Sequence, residues 1–320
     1  MDIYTSNNQF AVDVLRQICG TDVGQNVVFA PLSIMTALSM VYLGARGNTA
    51  AEMGKALHFS DVKEVHSSCK NLLNDLVTIE GDYVLMNVNK LFGEKTFRFL
   101  PTFLNDTRNL YDASLEQLDF LNDPETSRKY INEWITQQTR AKIQELLPDQ
   151  SISENTVLVL ANTLYFSANW TKPFNQKKTS KAPFTRMSVE KEISLEKLNK
   201  WMSNSGMKMM NILVRLPKFR VEKSFSMKNI LSSLGILDAF SQTKANFSGM
   251  TKQSDVFLSE VHHKTFLEIN EKGTEAASTT ASVMSVRSFP ADEFKADRPF
   301  YYFIKHKSGC IVLCGVVYNP

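Results

Sequence analysis

Residues 271–290, EKGTEAASTTASVMSVRSFP, decide how this chain is read. Residues 276–286 contain no charge, no proline and no glycine. Side chains of an extended chain alternate with period two, so Thr274, Ala276, Ser278, Thr280 and Ser282 share one face, and all five are small. A sheet can close around that face without a steric clash. Flexible linkers draw on Gly, Pro and charged residues. The Ala, Thr and Val content here points instead to a segment exposed as bait and later added to a sheet as a strand. The run ends on Arg287-Ser288, a bond suited to a protease whose specificity pocket carries a carboxylate.

Outward from this stretch the chain reads as one mixed domain over residues 1–320, with helices early and strands late. Apolar residues recur at helical spacing over 10–18, 31–43, 50–57 and 124–146, with Asp123-Pro124 and Ser33 as starts. Apolar or β-branched runs bounded by Gly, Pro, Asn or Ser predict strands over 156–166, 210–216, 256–269, 301–305 and 311–318. The bait segment lies between two of these strands, not between domains.

Composition bounds less. A chain of 320 residues with 43% hydrophobic content can fill a substantial core. Its 36 basic and 33 acidic residues leave a net charge of +3, and Lys177-Lys178 with Lys181 read as a solvated loop, so nucleic acid is not expected as a partner. The four cysteines, Cys19, Cys69, Cys310 and Cys314, lack metal-ligand spacing and the density of a disulfide framework. No apolar stretch reaches about 18 residues, so no membrane span is expected. The start Met1-Asp2-Ile3 shows no basic n-region followed by an apolar run, which leaves open a cytoplasmic or leaderless protein and the mature chain of a secreted one.

Several blocks, in their shared order, resemble the serpins, the serine-protease-inhibitor family. They are Asn26-Val27-Val28-Phe29-Ala30-Pro31-Leu32-Ser33, with Ala30 where a serine is usual, then Asn132 with Trp134, and Leu160-Ala161-Asn162-Thr163-Leu164-Tyr165-Phe166 leading to Trp170. Leu216-Pro217-Lys218-Phe219, Phe247-Ser248-Gly249-Met250, His263-Lys264, Asp297-Arg298-Pro299-Phe300 and the terminal Gly315-Val316-Val317-Tyr318-Asn319-Pro320 complete the series. The resemblance implies an α+β fold of the mixed, multidomain-type serpin class. Its helices would pack on a large mixed β-sheet A, beside smaller sheets B and C.

The resemblance also implies roles. Residues 271–290 become the reactive-centre loop, with Glu271, Gly273, Thr274, Glu275, Ala276 and Ala277 as its hinge and Arg287-Ser288 as the reactive bond. Ser33, Asn162, Trp170, Lys218 and His263 become the shutter and breach around an opening sheet. Gly273 to Arg287 spans 15 residues, roughly 50 Å as a strand at ~3.3 Å per residue. Cleavage after the fifteenth would let the loop insert and carry an acyl-bound trypsin-like serine protease to the far pole of a metastable, monomeric suicide substrate. Met284-Ser285 is the competing bond and leaves 12 residues to insert. No cofactor or metal is implied. His262 and His263 have neither a nucleophile motif nor a third ligand at suitable spacing, so an enzyme is not expected.

One departure stands out. After Pro183-Phe184-Thr185-Arg186-Met187 the pattern passes almost at once to Ile193-Ser194-Leu195-Glu196. Several strands of sheets B and C, on the order of 50 residues at usual strand lengths, are missing after residue 187. Their loss predicts uncovered apolar surface at Val312-Leu313, with low stability or association. It also favours, as the alternative, a noninhibitory binding or chaperone-type protein or an inactive shortened variant.

Overall fold

The computed structural model describes residues 1–21, 24–77, 83–185, 193–202, 210–273 and 292–320. Among these the helices are α1 (Ile3–Thr21), α2 (Pro31–Gly44), α3 (Gly47–Ala56), α4 (Val65–Val77), α5 (Pro101–Tyr111), α6 (Pro124–Gln138), α7 (Leu195–Met202) and α8 (Lys228–Ser233). The strands are β1 (Val27–Phe29), β2 (Tyr83–Glu94), β3 (Glu116–Leu118), β4 (Leu158–Ala168), β5 (Leu213–Arg215), β6 (Phe219–Ser226), β7 (Leu258–Ile269), β8 (Glu293–Lys295), β9 (Phe300–Lys305) and β10 (Ile311–Val317).

The largest sheet runs β3-β2-β4-β7-β6. Its central strands β4 and β7 are parallel, while β2 and β6 flank them antiparallel. β4 is buried on both faces, which is why its sequence is nearly continuous in apolar residues. Leu158, Leu160 and Leu164 face the core shared with α1, α2 and β10; Val159, Ala161 and Tyr165 face a smaller core under Ile131 and Ile135 of α6. α2 is predominantly apolar and enclosed around most of its circumference, with its three polar side chains, Ser33, Thr36 and Ser39, buried as well. Pro31 opens it with a fixed φ suited to the first helical position. Ser33 lies inside this helix, not at its start.

Asp123 caps α6 as expected, its carboxylate accepting the Thr126 amide at 3.3 Å. The helix stops at Gln138, however, short of residue 146. Arg140, Ala141 and Glu145 take φ of +51°, +60° and +51°, and the Thr139 hydroxyl receives the Ile143 amide at 3.1 Å. Neither Gly nor Pro announces this break.

The second sheet, β1-β10-β9, has three strands and the third, β5-β8, has two among the described residues. The expected apolar exposure at Val312-Leu313 is not found: they are 4% and 0% exposed, because α1 and α2 pack directly on β10. The open surface lies on the third sheet, where Leu213 and Val214 are each 38% and Phe294 is 53% exposed. Cys69, Cys310 and Cys314 are buried free thiols, and Cys19 is half-buried. No helix among the described residues is long and apolar enough to cross a membrane.

Candidate functional site

Ser33, Asn162 and His263 meet where α2 packs against β4 and the adjoining β7. Asn162 and His263 are partners in the β4–β7 register and point to the α2 face. The Asn162 amide nitrogen lies 3.1 Å from the Ser33 carbonyl and 2.6 Å from its hydroxyl, and it also donates to the Asn89 side-chain oxygen. The Ser33 hydroxyl donates onward to Asn87 Oδ1 at 2.5 Å. His263 accepts on Nε2 from the Ala30 amide at 3.0 Å, with the Thr265 hydroxyl 2.6 Å away. A backbone N–H can only donate, so Nε2 carries no proton, and the Nδ1 hydrogen points at Asn162 Oδ1. Burial pushes the His263 pKa down to about 3, and the ring is neutral. The group therefore ties the sheet's central strands to the helix behind them through satisfied polar contacts, with Ser33, Asn162 and His263 buried and Asn87 and Asn89 half-buried.

Above this level the two central strands part. Their ladder runs from Leu158↔Leu258 to Tyr165↔Phe266, leaving 166–168 of β4 and 267–269 of β7 unpaired with one another. Residues 270–273 close the mouth. The Asn270 side chain accepts the Lys272 and Gly273 amides at 2.9 and 3.1 Å, an Asx turn that reverses the chain. Gly273, at φ +137°, then forms an antiparallel bridge with Asn169, just past the end of β4. A Cβ there would lie 2.0 Å from the Ala168 carbonyl oxygen, so only glycine permits this approach.

Trp170 holds the turn from the β4 side. Its indole N–H donates to the Asn270 carbonyl and its backbone N–H to Lys272, both at 2.9 Å, while Phe174 stands edge-on to its ring. Glu271 is buried, receives the Thr179 hydroxyl at 2.7 Å and pairs with Lys218 at 3.0 Å. Chiefly the Thr179 hydroxyl, then Glu271's own amide and Lys218, hold its carboxyl below the usual carboxylate range against the opposite pull of burial.

The structure thus gathers Ser33, Asn162 and His263 into one cluster and Trp170, Lys218, Glu271 and Gly273 into a second. Thr274, Glu275, Ala276, Ala277, Arg287 and Ser288 lie outside the described residues. His262 points to the opposite face from His263, buried, with Nε2 3.4 Å from the Glu260 carboxylate. Sequence reading missed Asn87, Asn89, Thr265, Thr179 and Asn270. The first two were findable: at i and i+2 of a strand they share a face, and Asn89 stands opposite Asn162.

A family model described as Serpin (serine protease inhibitor) matches residues 5–189 and 186–320, two pieces that meet where strands were expected to be missing. The leukocyte elastase inhibitor of Equus caballus is 36% identical over 366 aligned residues, covering 97% of this chain and 97% of that protein. Serpin B10 of Papio anubis is 35% identical over 392, covering 99% of each. Both alignments are longer than this 320-residue chain, so these relatives carry positions with no counterpart here. Among solved structures, uncleaved ovalbumin superposes with a TM-score of 0.89 at 27% identity, covering 100% of both chains.

Proposed function

The chain belongs to the serpin (serine protease inhibitor) family, and from that premise we propose that it is a single-use inhibitor that a trypsin-like serine protease cuts at Arg287-Ser288 and is trapped by. The protease's serine Oγ bonds to the Arg287 carbonyl carbon as the Ser288 amine leaves, giving an acyl-enzyme. The freed segment then inserts between β4 and β7 before water completes deacylation.

The observation that carries this reading is the antiparallel bridge between Gly273 and Asn169. A strand running back from Gly273 is antiparallel to both β4 and β7, as a filler of the gap between two parallel strands can be. Extended in register, the bridge sets Thr274 opposite Ala168, Ala276 opposite Phe166, Ser278 opposite Leu164, Thr280 opposite Asn162 and Ser282 opposite Leu160. Directly opposed residues share a face. In the proposed inserted strand the five small side chains would therefore fall on the α2 face, and Thr280 would arrive over the Ser33–Asn162–His263 cluster. The register also bears on the bond. Met284 lies opposite Leu158, the first residue of β4, whereas Arg287 carries the strand three residues further.

The relatives named leukocyte elastase inhibitor favour the Met284-Ser285 bond as the second reading. Incubation with trypsin and, separately, with leukocyte elastase, followed by a denaturing gel and mass spectrometry of the released C-terminal fragment, tests both. A covalent complex with trypsin and a fragment starting at Ser288 support the proposal. A fragment starting at Ser285 in complex with elastase transfers the assignment to Met284. Clean cleavage without a complex defeats inhibition.

A further inference from the structure

The β5–β8 pair has three residues per strand, all exposed. Two short strands wetted on both faces are marginal in water and gain from further pairing. The hydrogen bonds show which side of β8 is open. The Leu213 amide donates to the Asp292 carbonyl and the Ala296 amide to the Arg215 carbonyl, both at 3.0 Å. Peptide groups alternate along a strand, so those of Asp292, Phe294 and Ala296 turn toward β5, and those of Glu293 and Lys295 turn away. Among the described residues no strand pairs on that outer side.

An edge is normally blunted by charge. Here the charges alternate in sign instead. Arg215 contacts Glu293, and Lys295 lies 3.0 Å from Asp297. We propose that the protein forms a two-fold dimer through antiparallel pairing of its β8 edges, centred on Phe294. In that register Glu293 faces the partner's Lys295 and Lys295 faces the partner's Glu293. Both are sites where outward N–H and C=O groups exchange hydrogen bonds. Phe294, 53% exposed, meets its copy at the intervening non-hydrogen-bonded site, where opposed side chains approach most closely. Within each copy Arg215 stands opposite Lys295 in the β5–β8 register and reaches Glu293 diagonally, so the complementarity between copies rests on the two Glu293–Lys295 pairs. Moving the axis to residue 293 or 295 opposes like charges, and moving it by half a residue mismatches the peptide groups. The interface is isologous and closes at two copies, extending the sheet from two strands to four.

Sedimentation equilibrium over a concentration series on the full chain tests this. The mass should rise from 36.2 kDa toward twice that value. Glu293→Lys and Lys295→Glu should each weaken association by about tenfold, since each opposes like charges twice. An equal mixture of the two variants should restore it as a heterodimer, which also shows that both fold. A monomer at every concentration overturns the proposal. So does association that survives both swaps and is lost in Val214→Asp, which would place the contact on the β5 edge.

Discussion

Acidification should weaken the uncut protein through His263. In the folded state the ring is neutral, with a pKa near 3 set by burial; in the unfolded chain it titrates near 6.5. Below pH 6.5 the unfolded chain binds a proton that the folded protein refuses. Stability therefore falls with pH, by up to about 1.4 kcal/mol per unit, until the folded pKa is reached. At pH 5 the loss from this residue is about 2 kcal/mol. For 320 residues, at ~2.1 cal/mol/K of unfolding entropy per residue, that is about 3 °C in melting midpoint. His263→Asn keeps a donor and an acceptor without a titratable proton. It should melt lower than the parent at pH 7.5, because the fit to Ala30 and Asn162 is poorer, yet lose about 3 °C less between pH 7.5 and 5. His66 and His306, whose pKa values burial also lowers, are common to both proteins and cancel. Circular dichroism melts of both at several pH values suffice. Equal pH slopes would refute the assignment of a buried neutral imidazole.

Under the proposed trapping function, Thr274→Arg should leave a plain substrate of the protease, because insertion would bury an unpaired charge at a cost of several kcal/mol; a stable complex on a denaturing gel would count against insertion. Ala30→Ser should raise the melting midpoint of the uncut protein, since α2 has no side-chain cap at Ala30 and a serine there adds about 1 kcal/mol. Thr179→Val should destabilise the turn at Glu271 by about 1–3 kcal/mol, measured by chemical denaturation. Lys218→Ala should cost less than about 1 kcal/mol, because the Lys218 side chain is 53% exposed. Protein cleaved at Arg287-Ser288 should melt well above the uncut form if a full strand is added on cutting, and equal midpoints would remove the basis of the trap.

Among the strands that sequence made visible, β4 and β10 are buried throughout, β9 is half-buried, and the short β5 is exposed, legible only from its β-branched, apolar residues. β4 is a near-continuous apolar run because the sheet is covered on both sides, whereas β7 has five apolar residues among its twelve, and Asp123-Pro124 carried its cap in the local residues. β2 was illegible for the opposite reason. Asn87, Asn89 and Lys90 interrupt its apolar run, and the two asparagines are polar because they reach under the sheet to Ser33 and Asn162. β6, FRVEKSFS, alternates buried and exposed residues and could have been read by its period of two. The end of α6 could not: three left-handed residues without glycine are imposed by the packing of Ile143, Leu146 and Leu147 under the sheet. The Ser33–Asn162–His263 cluster emerged only by family likeness, since no spacing rule brings positions 33, 162 and 263 together, and the Ala30 amide that fixes the histidine's tautomer leaves no trace in residue identity.

The distribution of thiols gives the molecule an internal clock for telling two motions apart. Cys69 sits on α4, Cys314 on β10 and Cys310 just before it, all buried, and none belongs to the five-stranded sheet. Burial raises the pKa of each, to about 11 for Cys69, so all three are protonated and shielded from alkylating reagents. A rearrangement confined to β4 and β7 leaves them dark. Loss of the core beneath α1 and α2 exposes all three together, so labelling counted by mass separates strand insertion from collapse of the scaffold within one sample.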